Sequence, residues 1–158
     1  MERRTMKFKD GRYRRIREQL AVELRKCDDP IARMATTVAV LHHKQPHFFW
    51  TGFYRLAGGR LVVGPYQGSL ACQQIEPGRG VCGTAFVRGE TIVVPDVHAF
   101  PGHIPCDARS RSEIVVPYRD ASGAPAGVLD VDARTTGAFD EVDREHLEAI
   151  VELVFPRR

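Results

Sequence analysis

The chain has 158 residues, of which 43% are hydrophobic and 27% are charged, and its formal net charge is +3. A chain of this length fits one globular domain, and a second hydrophobic core would not fit. Residues 1–26 hold ten Lys and Arg against four Asp and Glu, so the basic character belongs to the N-terminus alone. Because no apolar run is long enough for a signal peptide or a membrane span, we expect a soluble cytoplasmic protein without a membrane partner.

The basic N-terminal segment is typical of an amphipathic helix rather than of a nucleic-acid-binding arm. In "GRYRRIREQLAVELRK", Ile16, Leu20 and Leu24 recur about one helical turn apart, with charged residues between them. A nucleic acid is therefore not an expected partner.

A second helix is predicted to begin at Asp28 or Asp29, followed by Pro30. A carboxylate is a favoured helix cap, and proline is favoured at the first helical position. The predicted apolar face of this helix consists of Ile31, Met34, Ala35, Val38 and Leu41.

The middle of the chain is predicted to form strands joined by turns. "FFWTGFYRL" and "LVVGPYQG" indicate a β-hairpin around Gly58 and Gly59, and "LACQQIEP" indicates a third strand. A short helix is expected from about Val81 to Val87, then a strand in "TIVVPDV" and a second hairpin from "SEIVVPYRD" and "VLDVDA". With an amphipathic helix closing the chain, this order predicts an α+β fold whose mostly antiparallel sheet has the terminal helices on one face.

A long loop, "DVHAFPGHIPCDARSRSE", lies between the strand in "TIVVP" and the second hairpin, and we expect it to cover the other face of the sheet. Loops of this length in a compact domain are usually functional. The soft potential metal ligands in and before it are Cys72, Cys82, His98, His103 and Cys106. Only His103 and Cys106 stand at the close spacing of a structural zinc site, so no metal ion is predicted.

Cys106 has the surroundings expected of a nucleophilic cysteine. It lies in the loop with His103, Arg109 and Arg111 nearby, which favours the thiolate, although the charge of Asp107 opposes it. Four cysteines in a chain expected to be cytoplasmic do not suggest a structural disulfide framework. Burial as a small hydrophobic side chain remains the alternative for each cysteine.

Acidic and aromatic residues alternate with apolar ones on the predicted strands. Asp130 and Asp132 share one face of their strand, and Glu113 begins the neighbouring strand of the same hairpin. The two aspartates indicate either a solvated sheet face or the floor of a pocket that binds an amine or keeps one acid protonated. Trp50 and Tyr54 also share a face and could form an apolar wall.

Several motifs together resemble the free methionine-(R)-sulfoxide reductases, which are single GAF domains. They are "FFWTGFY", "VGPYQGSLAC", "GRGVCGTA", "VVPDVHAFPGHIPCDARSRSEIVVP", "GVLDVD" and "FDEVDREHLEAI". The resemblance runs in order from about His47 to the closing helix. It implies one GAF domain over 1–158, with N-terminal helices in 1–45 and the core and closing helix in 47–154.

The resemblance also implies roles for three cysteines. Cys106 would be the catalytic nucleophile and Cys72 the main resolving cysteine. Cys82 would line the site or act as a secondary resolving thiol.

The substrate-binding residues implied by the resemblance are acidic and aromatic. Glu113, Asp130 and Asp132 would hold the substrate amine and polarise the sulfoxide oxygen. Trp50 and Tyr54 would contact the methyl-sulfur end. We hypothesise that His98 and His103 shape the loop and tune the thiol.

The implied activity is the thiol-dependent conversion of free L-methionine (R)-sulfoxide to methionine. It would proceed through a sulfenic acid and an intramolecular disulfide, with thioredoxin as the reductant and without a metal or organic cofactor. The family also suggests a homodimer. Two other functions remain open: a GAF domain that senses a small molecule without chemistry, and a thiol redox switch that acts on a partner.

Overall fold

A computed structural model describes residues 2–157 of the protein. Its helices are α1 (Glu2–Glu23), α2 (Pro30–Lys44), α3 (Gly80–Arg88) and α4 (Glu141–Val154). Its strands are β1 (Trp50–Ala57), β2 (Arg60–Gln67), β3 (Gln74–Ile75), β4 (Ile92–Val94), β5 (Ser112–Arg119) and β6 (Pro125–Ala133). Within residues 2–157 the strands form one antiparallel sheet in the order β3-β2-β1-β6-β5-β4, which confirms the predicted α+β architecture.

Helices α1, α2 and α4 cover one face of this sheet. Ile16 and Leu20 of α1, and Leu24 just after it, are at most 3% exposed and join the same apolar cluster as Leu147 and Ile150 of α4. The sheet contributes side chains such as those of Phe53, Leu129 and Val131 to this cluster. The predicted amphipathic helix at the N-terminus and the predicted terminal helices on one face are therefore confirmed.

Helix α2 begins as predicted, but its buried face is narrower than predicted. The Asp29 side chain caps the helix by accepting a hydrogen bond from the Ala32 amide at 2.9 Å. Ile31 and Ala35 are exposed, so their assignment to the apolar face was wrong. Thr37 is buried instead, because its hydroxyl donates to the Arg33 carbonyl at 2.9 Å and is thereby satisfied. The predicted positions that are buried are Met34, Val38 and Leu41.

The opposite face of the sheet is covered by α3, by the loop 96–111 and by the segment 68–73. The first hairpin turns at Gly58 and Gly59, whose φ angles of 58° and 78° are those that a two-residue hairpin turn requires. The predicted third strand is only two residues long, because only Gln74 and Ile75 pair with β2. Residues 68–73 instead run toward the loop, where they contribute to the site described below.

Both ends of the chain extend one residue beyond the part that the structure describes. The predicted domain of 1–158 therefore includes Met1 and Arg158, which lie outside the described residues. The second of the two N-terminal helices ends at Lys44, and the strands, α3 and α4 lie between Trp50 and Val154. No helix in 2–157 is long and apolar enough to cross a membrane.

Candidate active site

A cavity of about 40 Å³ lies on the face of the sheet away from α1, α2 and α4. Strands β1, β5 and β6 form its floor, and α3, the loop 96–111 and the segment 68–73 form its walls. Seven of the eight predicted catalytic and substrate-binding residues line it: Trp50, Tyr54, Cys82, Cys106, Glu113, Asp130 and Asp132. The eighth, Cys72, is bonded directly to Cys106.

A disulfide joins Cys72 to Cys106 at the mouth of the cavity. Their Cα atoms are 5.4 Å apart although 34 residues separate them in the chain, and this distance is ordinary for a disulfide. Cys106 is exposed, whereas Cys72 is half-buried. The Tyr54 hydroxyl donates a hydrogen bond of 2.9 Å to the Cys72 carbonyl, which ties this end of the disulfide to the sheet.

Three carboxyl groups meet on the floor because of the strand register. Glu113 of β5 stands opposite Asp132 of β6, and Asp130 lies two residues earlier on the same face of β6. Glu113 and Asp130 are only 5% and 6% exposed. The predicted pocket floor is therefore present, and the solvated sheet face is excluded.

Burial changes the protonation of this carboxyl cluster. It raises the pKa of Glu113 and of Asp132 well above the usual range, and the charge of Asp130 raises both further. The pKa of Asp130 is raised to about 6, also by burial, with hydrogen bonds from Glu113 and Cys82 acting against the rise. The cluster consequently retains protons at neutral pH, where free carboxyl groups are fully ionised.

Cys82 is a free, buried thiol beside these acids. Its Sγ lies 3.8 Å from Oε1 of Glu113. Burial raises the pKa of Cys82 well above its usual range, and the charges of Asp130 and Glu113 add to the rise, so the group stays a thiol. Among the residues that the structure describes, Oδ1 of Asp130 is buried without a hydrogen-bond partner. A buried acceptor of this kind has a large desolvation cost unless a ligand supplies a donor.

Cys82, Glu113 and Asp130 lie close enough together to hold a cation. One ligand atom each of Cys82, Glu113 and Asp130 lies within 4.8 Å of the other two. Since burial favours the protonated form of all three groups, a metal ion would have to displace protons in order to bind.

An aromatic wall borders the carboxyl groups. The Trp50 indole stacks on Tyr66 and Tyr54 with centroid distances of 5.3 and 6.0 Å, and its Nε1 donates to the Ser69 carbonyl at 3.0 Å. Gly52 allows this packing, since a Cβ there would lie 2.4 Å from the indole ring. The pairing of Trp50 and Tyr54 on one face, predicted from strand alternation, is therefore correct.

The two loop histidines occupy different surroundings. His103 lines the cavity, with Nε2 4.0 Å from Oε2 of Glu113, and burial, helped by the charge of His98, lowers the pKa of His103. His98 is 63% exposed and pairs with Asp96. Only His103 is thus placed to influence the site directly.

Sequence reasoning missed the role of Asp107 and its neighbours. Asp107 accepts hydrogen bonds from the Arg109 side chain and from the Ser69 hydroxyl, which hold its pKa well below the usual range. The pairing with Arg109 reduces the negative charge beside Cys106 that the sequence suggested. The pattern of the chain gave no signal for the contact with Ser69, which lies 38 residues away.

Comparison with known proteins agrees with this geometry. The GAF domain family model matches residues 26–154. The free methionine-R-sulfoxide reductase of Escherichia coli is 45% identical over 121 residues, which cover 77% of this chain and 73% of that protein.

Solved structures give the same result. The chain is 42% identical to the free methionine-R-sulfoxide reductase of Neisseria meningitidis in complex with its substrate, with a TM-score of 0.87 and coverage of 90% and 85% of the two chains. It is 45% identical to fRMsr of Staphylococcus aureus in its reduced form, with a TM-score of 0.86 and coverage of 90% and 92%. The predicted GAF fold is confirmed, and the chain belongs to the free methionine-R-sulfoxide reductase family of GAF-domain proteins.

Proposed function

We propose that the protein reduces free L-methionine (R)-sulfoxide to methionine, with Cys106 as the nucleophile and Cys72 as the resolving cysteine. One observation carries the proposal: the Cys72–Cys106 disulfide lies at the mouth of a cavity whose floor consists of buried, proton-holding carboxyl groups. The activity named for the related enzymes of Escherichia coli and Neisseria meningitidis supports it.

The first step needs an acid and a thiolate together. A sulfoxide sulfur is a poor electrophile until its oxygen accepts a proton. Glu113 and Asp132 retain protons at neutral pH because burial and the charge of Asp130 raise their pKa values, so one of these two can protonate the oxygen. The Cys106 thiolate attacks the sulfur, methionine leaves, and the oxygen with its proton remains on Cys106 as a sulfenic acid.

The second step forms the observed disulfide. The Cys72 thiol attacks the sulfenic sulfur of Cys106, the S–S bond forms, and the oxygen leaves as water. An external dithiol then reduces the disulfide by exchange and returns both cysteines to thiols. Each cycle thus consumes one sulfoxide and one dithiol and yields methionine, water and the oxidised dithiol.

The choice of free over peptide-bound substrate follows from charge. The ammonium group of a free amino acid can donate to the unpartnered Oδ1 of Asp130 and neutralise part of the carboxyl cluster. A peptide-bound methionine sulfoxide has no such group and leaves the buried acids unpaired, which a site of this kind rejects strongly. Trp50 and Tyr54 supply the apolar wall for the methyl-sulfur end.

We propose that the loop 96–111 moves during the cycle. The disulfide lies at the mouth of the cavity and holds Cys106 of the loop against Cys72. Reduction of the disulfide would free Cys106 and let the loop 96–111 withdraw, so that the substrate enters the dithiol form.

The remaining partners follow from this cycle. Thioredoxin is the proposed reductant, and a cytoplasmic location would suit it, because thiols are kept reduced there. We assign Cys82 a lining role, since a buried thiol with a raised pKa is a weak nucleophile. The homodimer stays a prediction, to be tested by analytical ultracentrifugation.

The test is a direct assay of the product. The protein is incubated with thioredoxin, thioredoxin reductase and NADPH, together with the R epimer of free methionine sulfoxide, and methionine is measured by chromatography. We expect methionine from the R epimer and an equal consumption of NADPH. Absence of methionine from this epimer would exclude the reductase function.

Two control substrates separate the alternatives. The S epimer tests stereochemistry, and the N-acetylated R epimer replaces the ammonium group with a neutral amide like that of a peptide, so both should react at least tenfold more slowly. A thiol redox switch would cycle its disulfide with thioredoxin but form no methionine. A small-molecule sensor would bind a ligand but would form no methionine, even when Cys72 and Cys106 are reduced.

A further inference from the structure

A second link runs beside the disulfide between the two segments that carry its cysteines. The Ser69 hydroxyl donates a hydrogen bond of 2.5 Å to Oδ2 of Asp107, three residues before Cys72 and one residue after Cys106. Within residues 2–157, this is the one hydrogen bond that joins the segment 68–73 to the loop 96–111. When the disulfide is reduced, it is therefore the directional contact left between them.

The donor side of this link is anchored to the sheet. The Ser69 carbonyl accepts the indole N–H of Trp50 at 3.0 Å. Gly68 has a φ of +123°, and a Cβ at that position would lie 2.8 Å from the Trp50 ring, so the backbone approaches the indole closely. The position of the Ser69 hydroxyl is thus fixed relative to β1 whether or not Cys72 is bonded.

The acceptor side is anchored within the loop. Oδ1 of Asp107 accepts from the Arg109 amide at 2.9 Å and from its Nε at 3.0 Å, and Oδ2 accepts from Nη2 at 2.8 Å. The Arg109 guanidinium in turn lies 5.0 Å from the centroid of the Phe49 ring. The carboxylate is therefore charged and oriented, and a hydrogen bond to an ionised acceptor is stronger than one between neutral groups.

We propose that the Ser69–Asp107 hydrogen bond is a positioning contact that keeps Cys72 within reach of Cys106 in the reduced protein. The hydrogen bond and the disulfide bring the same two segments together, so each makes formation of the other more favourable. Ser69 and Asp107 would thus raise the effective concentration of one thiol at the other. The resolving role of this disulfide rests on the proposed function, but the effective concentration does not depend on it.

The effective concentration is measured by exchange with glutathione. One oxidised glutathione reacts with the protein dithiol to give the protein disulfide and two reduced glutathiones, so atoms and electrons balance. The fraction of disulfide is determined by acid quenching, thiol alkylation and mass spectrometry over a range of glutathione ratios. We expect Ser69→Ala to lower the effective concentration about tenfold, equivalent to about 30 mV for this two-electron couple.

Two further variants distinguish positioning from a general effect on folding. Ser69→Thr keeps the hydroxyl and should stay within about threefold of the wild-type protein. Ser122→Ala is the matched control, because the Ser122 hydroxyl also donates to a carboxylate, that of Asp120 at 2.6 Å in the exposed β5–β6 turn. It should leave the effective concentration unchanged. An equal loss in all three variants, or an unchanged value in Ser69→Ala, would overturn the proposal.

The acceptor offers an independent measurement if Ser69→Ala folds poorly. Asp107→Ala should lower the effective concentration at least as much as Ser69→Ala. The double variant should be no weaker than Asp107→Ala alone, because the link is already lost. Full additivity would show that the two residues act separately and would reject the positioning contact.

The outcome is separable from that of the methionine assay. Glutathione exchange contains no sulfoxide, so the predicted loss in Ser69→Ala stands even in a protein that forms no methionine. Conversely, a protein that forms methionine while Ser69→Ala keeps its full effective concentration retains the proposed function and loses this inference.

Discussion

Glu113 and Asp132 stand directly opposite each other on β5 and β6, with both carboxyl groups on the cavity side of the sheet. Like charges in opposed positions on neighbouring strands destabilise a sheet. Burial raises the pKa of both groups, so the fold retains protons here rather than separating two charges. An arrangement that lowers stability while preparing acids for chemistry is typical of a functional site.

The first prediction is that Asp132→Asn makes the fold more stable and lowers the rate of methionine formation. Removing one of two opposed acids should raise the free energy of unfolding at pH 7 by about 0.5 to 1 kcal/mol, and methionine formation should fall at least tenfold. Urea unfolding of the oxidised protein and chromatography of the product measure the two effects. Asp120→Asn, in the exposed β5–β6 turn, should not stabilise, because its carboxylate accepts hydrogen bonds from Ser122 and Ala124. Destabilisation by Asp132→Asn would contradict this account.

The second prediction concerns the pH dependence of stability. The pKa of Asp130 is about 6 in the folded protein and about 3.9 in an unfolded chain, so the folded state binds more protons between these values. The stability contributed by the protonated group is therefore complete below about pH 4 and is lost as the pH rises through 6.

The difference in unfolding free energy between the wild-type protein and Asp130→Asn reports the titration of Asp130 together with its coupling to Glu113 and Asp132. It should shift by about 2 kcal/mol against the wild-type protein from pH 4 to pH 7. Subtraction cancels the titration of His42 and His103, whose lowered pKa values act in the opposite direction. A difference that stays constant across this range would show that Asp130 titrates normally.

Strand alternation made much of the site predictable. A period of two residues fixes which face each side chain occupies, so Asp130 and Asp132 could be placed on one face, and Trp50 and Tyr54 likewise. The buried face of α2 was less predictable, because periodicity shows which way the face points but not how many residues it includes. Ile31 lies in the first turn of the helix, where 42% of its surface stays exposed.

Contacts between irregular segments could not be predicted from the sequence. Ser69 and Asp107 lie in stretches without periodicity, and nothing in their composition sets the path of one segment past the other. The contact between Lys9 and Asp143 was also not predictable, because it depends on how α1 packs against α4 across 134 residues of chain. The disulfide was foreseen only through the family resemblance.

The third prediction separates the two cysteines of the disulfide. Cys106→Ser should abolish methionine formation, since it removes the nucleophile. Cys72→Ala should form about one methionine per protein molecule and leave a sulfenic acid on Cys106, detectable as a dimedone adduct by mass spectrometry. Cys27→Ser should behave as the wild-type protein, because Cys27 is exposed and free. Steady-state turnover by Cys106→Ser would refute the assignment.

The fourth prediction tests the packing behind the aromatic wall. A Cβ on Gly52 would lie 2.4 Å from the Trp50 ring and 2.5 Å from Cβ of Tyr66, so Gly52→Ala forces the indole to move. We expect a loss of about 1 to 3 kcal/mol in stability, the usual cost of overpacking, and a higher KM. Gly11→Ala is the matched control: its Cβ meets only Arg15 at 3.7 Å, and alanine should stabilise α1 by about 0.5 to 1 kcal/mol. A Gly52→Ala protein with unchanged KM would show that the wall is not used.

The fifth prediction concerns a buried ion pair on the helical side of the sheet. The Asp143 side chain is fully buried and accepts hydrogen bonds from Lys9 at 2.5 Å and Tyr13 at 2.7 Å, with His47 at 3.0 Å. Burial alone would raise the pKa of Asp143, but the bonds from His47 and Lys9 outweigh it and hold the pKa well below the usual range. This contribution to stability is therefore present above about pH 4 and is lost as the pH falls below it, opposite in sign to that of Asp130.

Asp143→Asn should lower the free energy of unfolding at pH 7 by about 3 kcal/mol, because the Lys9 ammonium is left without its anionic partner. The loss should shrink as the pH falls below about 4, because Asp143 of the wild-type protein then takes up a proton on unfolding while it stays ionised in the fold. Methionine formation at 15 °C should persist in the folded fraction, because the ion pair and the cavity lie on opposite faces of the sheet. Urea unfolding at several pH values, with the product assay on the same samples, measures both effects. A loss of stability that does not depend on pH would indicate a packing defect and contradict the electrostatic explanation.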